Sequence, residues 1–140
     1  MSLDPLLGAP WVIQVHAFAA MAAFLLGVIQ FAAPKGTLPH KTIGVVWIVL
    51  MAAVTVSSIF IRPSIDPSLP FLKWFSPIHI LTVITAVGLY QGVGFLMKGG
   101  PNLKRHKAPF IGMFIGGLII AGVLAVALPG RIMNQVVFGG

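Results

Sequence analysis

Apolar residues run through this chain in four long blocks instead of alternating with polar ones. The blocks cover residues 10–33, 42–61, 75–97 and 108–128, and none contains Asp, Glu, Lys or Arg. Each is close to the ~20 residues that carry a helix across ~30 Å of hydrocarbon. Lipid offers no partner to backbone N–H and C=O groups, so segments of this length and apolarity have to be helical. Proline falls where a helix start tolerates it, at Pro10, Pro77 and Pro109, while Arg62-Pro63 and Pro129-Gly130 fall at helix ends. The first block has no basic stretch before it, is long for the core of a signal peptide, and is followed by three blocks like it. It is therefore read as a span.

Residues 34–41 and 98–107 form two short basic links, and residues 62–74 a longer Pro-rich one. Short links make successive helices antiparallel neighbours. The expected fold is all-α: an integral membrane four-helix up-down-up-down bundle, in a single domain over residues 1–140. Small residues that let helices approach closely mark its contact faces. They are Ala19, Ala20, Ala22 and Ala23 on the first helix, Gly88 and Gly92 on the third, and Gly112 and Gly116 on the fourth.

Composition sharpens this picture. Apolar residues make up 58% of the chain, charged residues 8%, and the mean hydropathy is +1.03. A soluble domain carries about 25% charged residues, so the solvent here is the lipid bilayer. Asp4 and Asp66 are the only carboxylates and there is no cysteine. Paired-carboxylate acid/base chemistry, carboxylate metal cages, thiolate catalysis and disulfides are thereby excluded. The net charge of +7 does not point to nucleic acid, because the cations flank apolar blocks and no soluble basic domain exists. Lys35, Lys41, Lys98, Lys104, Arg105 and Lys107 lie on the two tight links. Arg62, Lys73 and Arg131 lie on the other side with both aspartates. The excess of cations places the tight links in the cytoplasm of a bacterial inner membrane and both termini in the periplasm. Trp11 and Trp74 then fall at the outer interface as aromatic anchors.

The histidines are spread one per helix: His16, His40, His79 and His106. His16 and His79 lie about one and a half turns into the first and third helices from the outer side. His40 and His106 immediately precede the second and fourth helices at the cytoplasmic edge. The two halves run in parallel, each with a histidine, an apolar helix, a basic link and His-Lys, followed by Gly44 or Gly112. An imidazole inside lipid needs a partner. Two imidazoles facing each other across a bundle are the axial ligands of a haem iron, and Arg62, Lys73, Lys41, Arg105 and Lys107 lie at levels suited to propionates. His16 and His79 form the deeper pair and the one assigned to iron, with interhelix hydrogen bonds or proton and quinone contacts as the other readings. Zinc wants more ligands than one pair supplies. His40 and His106 form a second cofactor pair or serve as interfacial anchors. Gln14, Gln30 and Gln91 are read as helix–helix glue, and Trp47 and Tyr90 as packing residues able to flank a ring.

Leu38-Pro-His-Lys-Thr-Ile-Gly44, entering a helix, resembles the Leu-x-His-Lys/Arg-x-x-Gly element of a bacterial family of four-helix membrane proteins of unknown function. In that family a histidine near the start of the first helix precedes the element. A second basic histidine stretch opens the last helix, the place taken here by Asn102-Leu-Lys-Arg-His-Lys107. The family often continues that stretch as His-Lys/Arg-x-Trp/Met-Met, whereas this chain has His106-Lys-Ala-Pro-Phe110. The resemblance spans about His16 to Met133 and implies the fold, since the family has no settled activity. More loosely, the chain is similar to transmembrane dihaem b-type cytochromes, whose four core helices carry two histidine pairs set deeper than His40 and His106. That likeness implies haem b.

Two functions follow. The first is an integral membrane electron-transfer or redox-associated protein binding haem b through paired histidines, with quinol as a donor. The second is a non-catalytic accessory subunit that packs against a larger respiratory or photosynthetic complex, or against copies of itself. A transporter ranks last, because no acid lies within a span.

Overall fold

The structure, a computed structural model, describes residues 1–61 and 77–139. Arg62, Asp66, Lys73 and Trp74 lie outside the described residues. The elements are α1 (Asp4–Leu7), α2 (Trp11–Ala32), α3 (Leu38–Phe60), α4 (Pro77–Lys98), a 3₁₀ segment (Gly100–His106), α5 (Lys107–Met113), a π-helical stretch (Phe114–Ile120), α6 (Ala121–Ala127) and α7 (Ile132–Phe138). Among the described residues there is no strand, and four helical runs are long and apolar enough to cross a membrane. They are α2, α3, His79–Lys98 of α4, and the run Gly100–Ala127. The protein is an all-α membrane protein built as a four-helix bundle.

The spans follow the apolar blocks, with local differences that have local causes. α3 begins at Leu38, four residues before the apolar block, because Thr37 caps it. The Thr37 hydroxyl accepts from the His40 N–H at 3.3 Å, and Pro39 sits in the first turn, where its missing N–H costs nothing. His40 is therefore inside the first turn of α3 and does not precede it. α2 ends at Ala32, where Lys35 folds back and its Nζ donates to the carbonyls of Gln30, Phe31 and Ala33. This supplies positive charge and donors to a helix C-terminus. Gly36 then turns the chain at a φ of 82°.

The terminal helices α1 and α7 were not expected. Their apolar residues are few, but they find each other: Leu6, Val136 and Ala17 of α2 form a small second core. Ser2 N–H donates to the Val136 carbonyl at 3.1 Å, and Asn134 Nδ2 donates to the Val126 carbonyl at 2.7 Å. Gln14, expected to join helices, joins α2 to the short α1 and not to another span: it donates to the Leu7 and Ala9 carbonyls and fastens the N-terminal segment. Both termini thus lie at one end, beside the start of α2.

α2 packs on α3 and on the π-helical stretch, while α4 packs on α3 and on the fourth span. α2 and α4 therefore occupy diagonal corners. Between them lies a core of Ala23, Trp47, Met51, Met113, Phe114 and Leu118. Phe114 stacks on Phe24 with ring centroids 5.6 Å apart, and Trp47 meets the edge of Phe110 at 5.5 Å. Glycines make room for these side chains. A Cβ at Gly88 would come within 2.7 Å of Met113 Cγ, and one at Gly117 within 2.7 Å of Thr85 Oγ1. Gly27 lies under Phe114 and Gly92 under Phe110. Gly88 and Gly92 thus pack as expected. Gly112 and Gly116 do not: the fourth span turns Met113, Phe114 and Gly117 inward, and a Cβ at Gly112 or Gly116 meets nothing within 4 Å.

Gly92→Ala should therefore cost about 1–3 kcal/mol by overpacking against Phe110. Gly112→Ala should stay within about 1 kcal/mol of the parent or gain slightly. Reversible unfolding in mixed micelles reads both, and equal effects at the two positions would contradict this packing.

Candidate functional site

The site nearest the paired termini is built by α2 and α3. His16 lies on α2 beside Ala17, on the face whose small residues Ala19, Ala23 and Gly27 bring α3 close. Its Nδ1 lies 3.2 Å from the Val54 carbonyl and 3.0 Å from Ser57 Oγ, both on α3. The carbonyl can only accept. Ser57 has one hydroxyl proton, and carbonyls of its own helix take it, Ala53 at 2.6 Å and Val54 at 3.1 Å. Ser57 therefore also accepts from the ring, so Nδ1 carries the proton and the lone pair resides on Nε2. Fixing a neutral imidazole through the N–H of one nitrogen is how proteins prepare the other to bind a metal.

His79 is half-buried in the first turn of α4. Its depth follows from the packing. Met51 and Thr85 both lie against Gly117 and so share a level. Ser57 stands six residues above Met51 on α3, and His79 six residues above Thr85 on the antiparallel α4, each a rise of about 9 Å. His16 and His79 thus have matched depth on diagonal helices, the placement from which two side chains reach into the middle of a bundle. The ring contacts described for His16 run to α3. Among the described residues, no group of three or more His, Asp or Glu side chains is gathered to hold a metal ion.

At the opposite end the two basic links meet: Lys35, His106 and Lys107 lie within electrostatic reach of His40. Gln30 Nε2 donates to the His40 carbonyl at 2.8 Å and lies 3.5 Å from His40 Nε2. Gly44 makes room for it, since a Cβ there would approach Gln30 Nε2 to 2.9 Å. Gly112, its counterpart in the other half, faces open space, so the parallel between the halves ends there. His106 Nδ1 bonds the Leu103 carbonyl, and its ring meets Phe110 edge-on at 5.5 Å. Gln30 Oε1 and His40 Nδ1 are buried without a hydrogen-bond partner among the described residues.

Of the other residues singled out from sequence, Trp47 is 3% exposed and donates its indole N–H to the Ala23 carbonyl at 2.9 Å, which makes it a core residue. Tyr90 is 83% exposed and Gln91 is exposed too, so both point away from the bundle interior. Ser57 and Val54 were missed. The signal was present as the run Thr55-Val-Ser-Ser58, a cluster of hydroxyls in an otherwise apolar helix.

No family model, curated protein or solved structure matches the chain.

Proposed function

We propose that the protein is an integral membrane electron-transfer protein that holds haem b in the outer half of the bundle, with His16 and His79 as axial ligands. The observation that carries this reading is the pair of acceptors on Nδ1 of His16, which leaves Nε2 as the coordinating nitrogen. The matched depth of His79 on the diagonal helix supports it. Haem b supplies a one-electron couple when bound. The chain's own residues do the rest. Val54 and Ser57 hold the imidazole in one tautomer, and Ser57 stays in place because its proton is committed to carbonyls of its own helix. Below this level Trp47, Met51, Met113 and Phe114 fill the bundle and keep water from crossing. His40 and His106 serve the basic end as interfacial anchors, each engaged by its own neighbours.

The basic end faces the cytoplasm of a bacterial inner membrane, and the paired termini face the periplasm. A larger membrane partner, or a second copy, accepts the side of α4 that carries Gln91. An amide facing hydrocarbon is costly, and Gln91 presents one there. This second feature equally suits an accessory subunit.

Replacing His16 or His79 with Ala should abolish the reduced-minus-oxidised b-type band of protein purified from haem-replete cells. His40→Ala and His106→Ala should keep it. Ser57→Ala should keep the band but loosen haem retention about tenfold. A folded, colourless protein that copurifies with stoichiometric larger subunits would overturn the haem reading in favour of the accessory one.

Orientation has its own test, helped by the absence of native cysteine. In intact cells an impermeant thiol reagent should label Phe138→Cys, at a position 68% exposed, and should spare Lys104→Cys. Reversed labelling would overturn the topology.

A further inference from the structure

An apolar groove of about 400 Å³ runs along the outside of the bundle where α3 crosses α4. Its floor is one stripe of α4, formed by Ala86, Leu89, Val93 and Met97 with Tyr90 and Gly94, and Ala52 and Val56 of α3 wall its upper end. The stripe is uncovered by the described residues: Tyr90 and Met97 are each 83% exposed, and none of the described residues lies within 4 Å of the position a Cβ would take at Gly94. The only hydroxyl in the α3 wall, on Thr55, is already bonded to the Met51 carbonyl at 2.7 Å. The groove therefore has nothing polar to offer from that side.

Two features say what fits. The first is length. From Ala86 to Met97 the stripe rises about 16 Å, close to half of the ~30 Å hydrocarbon core. It begins near mid-membrane and ends at the interface, so it has the reach of a single leaflet's acyl chain. The second is charge. Met97, the last α4 residue lining the groove, is followed by Lys98 in the last turn of the helix, and the 3₁₀ segment that follows carries Lys104, Arg105 and His106. Among the described residues the only carboxylate side chain is that of Asp4, at the terminal end. A cation at the interface with no counter-ion among the described residues complements a phosphate.

We infer that this groove seats one acyl chain of an anionic phospholipid, with Lys98 at its mouth taking the lipid phosphate. The site does not depend on the histidines. A lipid held there covers the α4 stripe.

Native mass spectrometry of the full chain released from micelles tests it with three probes: phosphatidylglycerol, phosphatidylcholine with the same chains, and chainless glycerol 3-phosphate. The protein should retain one phosphatidylglycerol in preference to phosphatidylcholine. Lys98→Gln should weaken phosphatidylglycerol about fivefold and leave phosphatidylcholine unchanged. Gly94→Leu, placed where there is room for the side chain, should fill the groove and reduce retention of both lipids while the unfolding midpoint holds. Equal retention of the two lipids by the native protein would overturn the inference. So would native-like phosphatidylglycerol binding by Gly94→Leu, or displacement of the lipid by glycerol 3-phosphate.

Discussion

Hydrocarbon cannot hydrogen-bond, so each polar group within the spans has to find its partner in the protein. That constraint sorts the polar residues of this bundle. Thr55, Ser57, Ser58 and Thr85 bend back to carbonyls of their own helices, which satisfies them without committing a neighbour. Among the described residues three side chains bond α2 to α3: His16 at the terminal end, Trp47, which donates to the Ala23 carbonyl, at the middle, and Gln30, which donates to the His40 carbonyl, at the basic end. That hairpin is fastened at three depths, and α4 fits the fourth span closely where Gly88, Gly92 and Gly117 receive side chains of the other helix. Interhelical hydrogen bonds in membranes average about 0.6 kcal/mol, so close packing carries most of the cohesion and the bonds fix register.

Register is what gives His16 chemical meaning. A histidine anywhere on α2 could be a structural donor. At this level it meets a carbonyl and a serine whose proton is already spent, which fixes the tautomer. The same two acceptors leave the lone pair on the other nitrogen. The inner histidines differ in surroundings, not in residue type. His40 is bound up with Gln30 over Gly44, and His106 with Leu103 and Phe110, among lysines that suit a headgroup region.

The spans were legible because lipid reduces folding to a count of apolar residues between charges. The histidine levels were legible for the same reason, since depth is sequence distance along a straight helix. What could not be read depended on rotation and capping. Gly112 and Gly116 carry the same spacing as Gly88 and Gly92, yet only the latter pair faces a neighbour, and the π-helical stretch that sets the rotation of the fourth span has no marker beyond its glycines. Thr37 moved the start of α3 by four residues through one hydrogen bond. Gln14 is a helix–helix residue, but the helix it joins to α2 is the short α1, which no apolar block marks. α7 has only seven residues and becomes recognisable through its partner Leu6, which lies at the far end of the sequence.

The central claim is that Nε2 of His16 and the ring of His79 face one iron from opposite corners of the bundle. Low-temperature electron paramagnetic resonance of the oxidised native protein, purified gently from haem-replete cells and paired with a pyridine haem assay, tests it most directly. The account predicts a low-spin bis-imidazole signal at one haem per chain, lost in the His16 variant. A well-folded protein with no haem, or a high-spin signal that persists without His16, would contradict it.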